Sequence, residues 1–484
     1  MKIMIVYDNY VYKNEIIKDI IGKKDFADIV VNKQKTEDYL KSLLGKIFSE
    51  MIWKRINSVS DYHILENDLK NNYTEEIKIL HLFANFFIVN EKEAMLSYKK
   101  IDYIEEPFRI LHDKELSGII FPDIKSYLPF CHNRAQEQSP VQSSIYVENA
   151  FDISGLSNLS KISSFIQLLT GNFDTRYFNS LKENDPFTLV KTSKDKVKIK
   201  KEYTFYQLLP DNMKPWFVMP YNYTENTDTA SYTMERLHIT DLAIKWVHGS
   251  ISEEEFDKIL DIYFYFFKIR NTRKCSKEKY LETTKNLYET KVSDRLNALE
   301  KNAHYAKLAA LLKAGGIDLK DLQKKYLQYK EKIEKKSKNP SVEVIGHGDP
   351  GFANTLYNKD TQILKFIDPK GALTEEEMWT NPYYDIAKLS HCICGRYDFF
   401  NSGLFEIKLN ADFNYELTIP FNNEKYKELF QKKLEENGFD YNLVRIYEVS
   451  LFLSMLPLHM DNPYKVFGFI LNAQNMLKEI EEYV

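Results

Sequence analysis

Near residue 240 the chain changes rhythm, and that change limits the folds open to it. Before it, short apolar runs read as β-strands: Phe187-Thr188-Leu189-Val190-Lys191, Phe217-Val218-Met219-Pro220 and Tyr232-Thr233-Met234. A helix is expected over 200–209, ending at Pro210. After it, apolar residues recur every three or four positions over 251–270 and 278–314, until Gly315-Gly316 breaks the pattern. Residues 320–338 are heavily charged around Leu322, Tyr326, Leu327 and Ile333, which fits a helix with a solvated face. Strands gathered before helices imply an α+β architecture, β-rich over 155–239 and helical over 240–484.

Residues 1–154 follow another pattern and read as a separate α/β domain. Strands are expected at 3–7, 27–31 and 145–153, and a helix at 14–21. Tyr39, Leu40, Leu43, Leu44, Ile47, Phe48, Met51 and Ile52 suggest one amphipathic helix over 37–56. The polar stretch 133–144 reads as a loop.

Composition removes several function classes. With 44% hydrophobic and 28% charged residues in 484, there is ample apolar surface to bury, so the chain is not intrinsically disordered. A net charge of −4 does not point to a nucleic-acid partner. The four cysteines, Cys131, Cys275, Cys392 and Cys394, form no disulfide framework, and a reducing, cytoplasmic setting is expected. His391-Cys392-Ile393-Cys394 lacks the second ligand pair of a zinc site. Apolar runs such as Phe86-Phe87-Ile88-Val89 fall far short of the roughly 20 residues that span a bilayer. The N-terminal run stops at Asp8 and reads as a buried strand, not a signal-peptide core.

The chemistry concentrates in residues 341–391. A strand at 342–345 leads into the tight loop Gly346-His347-Gly348-Asp349, and Asn354 follows five residues after Asp349. Residues 355–357 and 363–367 flank the turn-forming 358–362, so a hairpin is expected with Asp368 at its exit. Phosphoryl transfer needs such a set. One carboxylate orients the acceptor hydroxyl and takes its proton, while hard oxygen ligands hold Mg²⁺ against the nucleotide phosphates. Asp349 fits the first role; Asn354 and Asp368 fit the second. The same residues also match G-x-G-x-x-G, with Asp368 near the position of a ribose-binding acid, so an NAD(P)-binding oxidoreductase is a rival reading. Against it, the would-be helix after Gly351 contains the turn cluster Asn358-Lys359-Asp360.

His347-Gly348-Asp349-x4-Asn354 followed by Ile367-Asp368-Pro369 resembles the aminoglycoside phosphotransferase/choline kinase group of small-molecule kinases, over about residues 155–484. The resemblance implies a protein-kinase-like two-lobed fold, Asp349 as catalytic base, Asn354 and Asp368 as Mg²⁺ ligands, and ATP or GTP as donor. His347 then supports the loop and Asp385 braces it. Two upstream features are implied as well. Lys191 on a strand would pair with Glu202 on a helix to orient the phosphates, with Lys194, Lys196 and Lys198 as nearby competitors. Met234, Glu235 and Leu237 would lie at the hinge that reads the base. The family's glycine-rich loop is missing, since Leu168-Leu169-Thr170-Gly171-Asn172-Phe173 offers one glycine.

For the small-molecule acceptor, Asp398, Phe399, Phe400, His459, Asp461 and Asn462 are candidates. Aromatic rings with acids suit choline or ethanolamine, while acids and amides suit a sugar. An α/β unit joined to such a kinase is similar to bacterial capsule or lipopolysaccharide proteins that carry a nucleotidyltransferase-like domain. That implies a role in surface-polysaccharide synthesis. No G-x-x-x-x-G-K-[ST] run or Gly-rich turn follows the first strand. The non-enzymatic alternative is a kinase fold retained as a nucleotide-binding scaffold.

Overall fold

Lys2–Asp8 (β1), buried from Ile3 onward, is the hub of a six-stranded sheet. It pairs in parallel with Glu50–Ile56 (β2) on one side and Lys78–Phe83 (β3) on the other. Phe108–His112 (β4), Glu115–Phe121 (β5) and Ala150–Asp152 (β6) complete the order β2-β1-β3-β5-β4-β6. Parallel neighbours require helical crossovers, supplied by Thr36–Leu44 (α1) and Val59–Asn72 (α2). The computed structural model describes residues 2–73, 76–136, 147–171, 179–185, 187–237, 239–337, 341–410 and 414–483.

Several local expectations change here. The single helix expected over 37–56 is α1 followed by β2: the helix stops at Gly45, and Met51 to Ile56 line up in parallel register with β1. Pairing with a buried strand overrides the helical spacing. The strand expected at 27–31 shrinks to Val30–Val31, which forms a small hairpin with Gln34–Lys35. Part of the loop expected at 133–144 is helical, because Ile124–Gln136 (α3) carries on to residue 136. Residues 137–146, including the start of the strand expected at 145, lie outside the described residues.

The chain divides into two compact units, Met1–Phe173 and Asp174–Val484. The boundary expected near 155 therefore moves downstream. Leu156–Asn158 pairs antiparallel with Phe86–Ile88, and the helix Ile162–Gly171 sets Phe165 edge-on to Phe26 at 6.4 Å. Leu168 to Gly171 accordingly belong to a helix of the first unit, not to a phosphate loop; Asn172 and Phe173 lie outside the described residues.

The second unit opens with an antiparallel sheet of Asn179–Asp185 (β7), Thr188–Ser193 (β8), Pro220–Glu225 (β9) and Ala230–Glu235 (β10), in the order β7-β8-β10-β9. Lys196–Leu208 (α4) contacts β8, β9 and β10 and buries Ile199, Glu202 and Phe205. It starts before the expected residue 200 because Asp195 caps it, accepting from the Lys198 amide. The strand expected at 217–220 begins only at Pro220, after a 3₁₀ turn at Lys214–Trp216.

From Leu242–His248 (α5) and Glu253–Ile269 (α6) onward, helices dominate. The helix expected over 278–314 is divided into Lys277–Lys285, a π turn at Asn286–Thr290, Lys291–Glu300 (α7) and Tyr305–Ala314. The Asn302 side chain accepts from the His304 amide at 2.9 Å, a local turn that competes with the helix ladder. Val342–Ile345 (β11), Thr355–Asn358 (β12) and Ile363–Phe366 (β13) supply the strand and hairpin expected from the sequence. Tyr384–Ile393 (α8), Tyr397–Asn401 (α9), Tyr441–Met455 (α10) and Pro463–Glu481 (α11) follow, with α10 buried from Leu443 to Ser454. The second unit is thus α+β, a β-rich part followed by a helical part. Among the described residues no helix is long and apolar enough to cross a membrane.

Candidate active site

The β lobe carries a buried cation between two acids. Lys191 on β8 pairs with Glu202 of α4 at 2.8 Å and with Asp368, just past β13, at 2.7 Å. Burial alone would lower the lysine's pKa, but the two carboxylates outweigh it and raise it. Asp368 shows the converse. Burial pushes its carboxyl up, yet Lys191 holds it below the usual carboxylate range. Tyr232 also donates to Glu202, at 2.9 Å. Of the competing lysines, Lys198 approaches Glu202 only to 3.5 Å and Lys196 turns to Glu225.

The hairpin brings Asp368 back to the loop before it. The Ile367 amide donates to the Asn354 carbonyl at 3.0 Å, and the Val218 amide to the Phe366 carbonyl at 3.1 Å. The hairpin is therefore tied to both lobes. Asp368 itself has φ 54°, a left-handed conformation that Asp tolerates better than most residues.

The loop around Asp349 hangs on Asp385. This wholly buried carboxylate accepts from the His347 amide at 2.9 Å, the Gly348 amide at 2.8 Å and the Arg270 guanidinium at 3.0 Å. His347 adds a second brace. Its Nδ1 accepts from the Asp349 amide at 3.1 Å, which leaves Nε2 to donate to the Ile367 carbonyl at 3.0 Å. The ring stacks on Phe217 at 5.6 Å, and burial lowers its pKa so that it stays neutral. Gly348 has φ +86°, and a Cβ there would come within 2.5 Å of the Lys370 Cβ, so only glycine fits.

Asp349 is the partly exposed end of this scaffold, with 46% of its side chain in solvent. Burial of the rest raises its pKa, but Lys388, 3.0 Å away, outweighs that and keeps it ionised. The Asn354 Nδ2 donates to the Asp349 carbonyl at 2.9 Å, so Oδ1 is the amide atom turned outward. Asn354 and Asp368 together offer one amide and one carboxylate oxygen. That donor set suits a hard cation whose other ligands come from phosphate and water. Among the described residues no group of three or more His, Cys, Asp or Glu side chains is arranged to hold a metal by itself.

Met234 lines the same cleft as Glu202, Val218, Tyr232 and Asp368. Leu237 packs against the small β-lobe cluster of Ile199, Val218 and Met234, and Glu235 lies 4.0 Å from Lys365. After Gly351 the chain makes a 3₁₀ turn, Phe352–Asn354, and enters the hairpin. No helix starts there, so the dinucleotide-binding reading of G-x-G-x-x-G is excluded.

The chain is weakly similar to solved structures. A choline/ethanolamine kinase family protein from Mesorhizobium loti is 11% identical, with 62% of this chain and 85% of that chain covered and a TM-score of 0.34. A thermostable mutant of aminoglycoside phosphotransferase APH(4)-Ia in its apo form is 11% identical, covers 65% and 98%, and scores 0.38. Spectinomycin phosphotransferase APH(9)-Ia, in complex with ADP and spectinomycin, is 10% identical, covers 64% and 91%, and scores 0.37. No protein-family model matches the chain, and no curated protein does. At such identities and scores the site assignments rest on the side-chain geometry.

Sequence reasoning missed Lys388 and Arg270, and weighed His391 only as part of a zinc motif. Lys388 is three residues after Asp385 on one helix, so its place on the same face was accessible from the sequence. Arg270 lies 115 residues from Asp385, and nothing local marks it. Phe399 and Phe400, candidates for an aromatic cage, are buried: Phe399 stacks on Phe421 and Phe400 packs on Phe405 and Phe469.

Proposed function

We propose that the second unit is an ATP-dependent phosphotransferase acting on a hydroxyl of a small molecule. The observation that carries this reading is the convergence of Lys191, Glu202 and Asp368 with the Asp349–Asn354 loop through one hairpin. Asp349 accepts the proton of the acceptor hydroxyl. The hydroxyl oxygen forms the new bond to the γ-phosphorus, the bond from that phosphorus to the β–γ bridging oxygen breaks, and ADP leaves. Lys191, held by Glu202, takes the nucleotide phosphates, and Met234 with the hinge residues Glu235 and Leu237 takes the base. Asn354 and Asp368 would hold Mg²⁺, which supplies charge neutralisation at the phosphates.

Phe399 and Phe400 are buried in the core and so do not wall a cage for a quaternary amine; the acceptor stays an amino alcohol or a sugar. A place in surface-polysaccharide synthesis belongs to this reading only through the joined α/β unit. The test is incubation of the full chain with γ-labelled ATP, Mg²⁺ and pooled small metabolites. A labelled phosphomonoester is expected. Nucleotide binding with no transfer to any pool would instead favour a nucleotide-binding scaffold.

A further inference from the structure

Resting on that reading, the acceptor side of Asp349 narrows the substrate class. Lys388 reaches Asp349 at 3.0 Å from α8. One turn back on the same helix is Tyr384, whose hydroxyl accepts from Lys291 of α7 at 3.0 Å. The Lys291 ammonium also lies 5.3 Å from the centre of that ring. Although Tyr384 is buried, which alone would raise its phenol pKa, the fields of Lys388 and Lys291 outweigh burial and lower it. Two lysines therefore act on one hydroxyl beside the catalytic carboxylate.

Asp349 itself pairs with Lys388, while Lys291 donates to the neutral Tyr384 hydroxyl. His391, one turn further along α8, is buried, stacks on Tyr397 at 4.3 Å, and has no hydrogen-bond partner at Nε2. Beyond Tyr397, the ring of His459 lies 6.4 Å away, and Lys465 bonds both His459 and Asn401. Asp398, a further acid on this side, is buried, and burial pushes its carboxyl up to about 7. A cationic acceptor would meet lysines here, whereas an anion would gain charge-assisted hydrogen bonds.

We propose that the phosphoryl acceptor is a small hydroxy compound that itself carries a negative charge, a phosphate or carboxylate held by Lys291 and Lys388 while its hydroxyl sits on Asp349. Lys388 spans the two halves of the site, since it touches the base and faces the incoming anion. Lys291, which donates to Tyr384, would touch the anion but not the base.

The test compares matched alcohols on the full chain with Mg-ATP: glycerol, choline, glycerol 3-phosphate and glycerate, then ribitol against ribitol 5-phosphate. The anionic members are expected to exceed their neutral partners in kcat/KM by about tenfold or more, the scale of one charge-assisted hydrogen bond. The phosphate and carboxylate arms tell which anion is preferred. Lys291→Met should raise KM for the anionic acceptor and shrink its advantage over the neutral one to about twofold. Lys291→Arg, which keeps the charge, should restore most of it. Preference for choline or a neutral polyol, or a Lys291→Met variant with the wild-type preference, would overturn the proposal while leaving the phosphotransferase reading intact. Failure to bind or turn over Mg-ATP at all would remove that reading and the proposal with it.

Discussion

Replacing Asp385 by Ala tests how the catalytic loop is held. The side chain accepts two backbone N–H groups and one guanidinium, and both it and Arg270 are buried. Hydrogen bonds to a charged group contribute about 1.5–3 kcal/mol each. Removing one partner of a buried ion pair costs about 3–5 kcal/mol, because the other charge is left without compensation. The contributions overlap, so the expected loss is about 4 kcal/mol, a large share of a typical total stability of ~5–15 kcal/mol. Urea unfolding followed by tryptophan fluorescence reads it. Trp216, Trp246 and Trp379 report the second unit and Trp53 the first, so only the transition of the second unit should move. The double variant with Arg270→Met should recover about 2 kcal/mol relative to the sum of the singles, since no buried charge remains. A loss under about 1 kcal/mol, or strict additivity in the cycle, would refute the reasoning.

The other structural predictions use the same logic. Lys191→Met should weaken Mg-ATP binding about tenfold or more and destabilise the second unit by about 3 kcal/mol, because Glu202 keeps only Tyr232 and the more distant Lys198; calorimetric titration and urea unfolding check the two parts. Asp398 has a folded pKa raised from 3.8 to about 7, so between those values the folded state keeps a proton that the unfolded chain has released. Stability from this group therefore falls as pH rises through that window. Asp398→Asn should gain about 1–3 kcal/mol relative to wild type at pH 8 and close to nothing at pH 4, and an equal effect at both pH values would count against it. Gly371 has φ +81°, and a Cβ there would lie 2.6 Å from the Lys201 carbonyl carbon. Gly371→Ala should cost about 2–3 kcal/mol and loosen the Ala372-to-Lys201 backbone bond, visible as faster amide exchange at Ala372.

What the sequence made legible depended on how local its causes were. The hairpin at β12 and β13 was readable because strand, turn and strand are contiguous and each has its own residue chemistry. Lys191 and Glu202 were placed by a resemblance, and the structure joins them across 11 residues. The helix expected over 37–56 failed because partner choice, not spacing, decided the state of 50–56. That segment pairs with β1, some 48 residues away. The unit boundary failed for a similar reason: Leu156–Asn158 finds its partner at Phe86–Ile88. Arg270 and Lys291 were invisible because both reach their partners only after the helical lobe has folded.

Asp349 gives the most direct test of the account. Full-length wild type and Asp349→Asn should be given γ-labelled ATP, Mg²⁺ and the best acceptor found, with transfer followed by phosphorus NMR and nucleotide binding measured on the same samples. The carboxylate is the only group assigned to take the hydroxyl proton, and general-base catalysis supplies about 10²–10⁴-fold. The account predicts a fall in transfer of that order with ATP affinity within about threefold of wild type. Transfer at the wild-type rate by Asp349→Asn would contradict it.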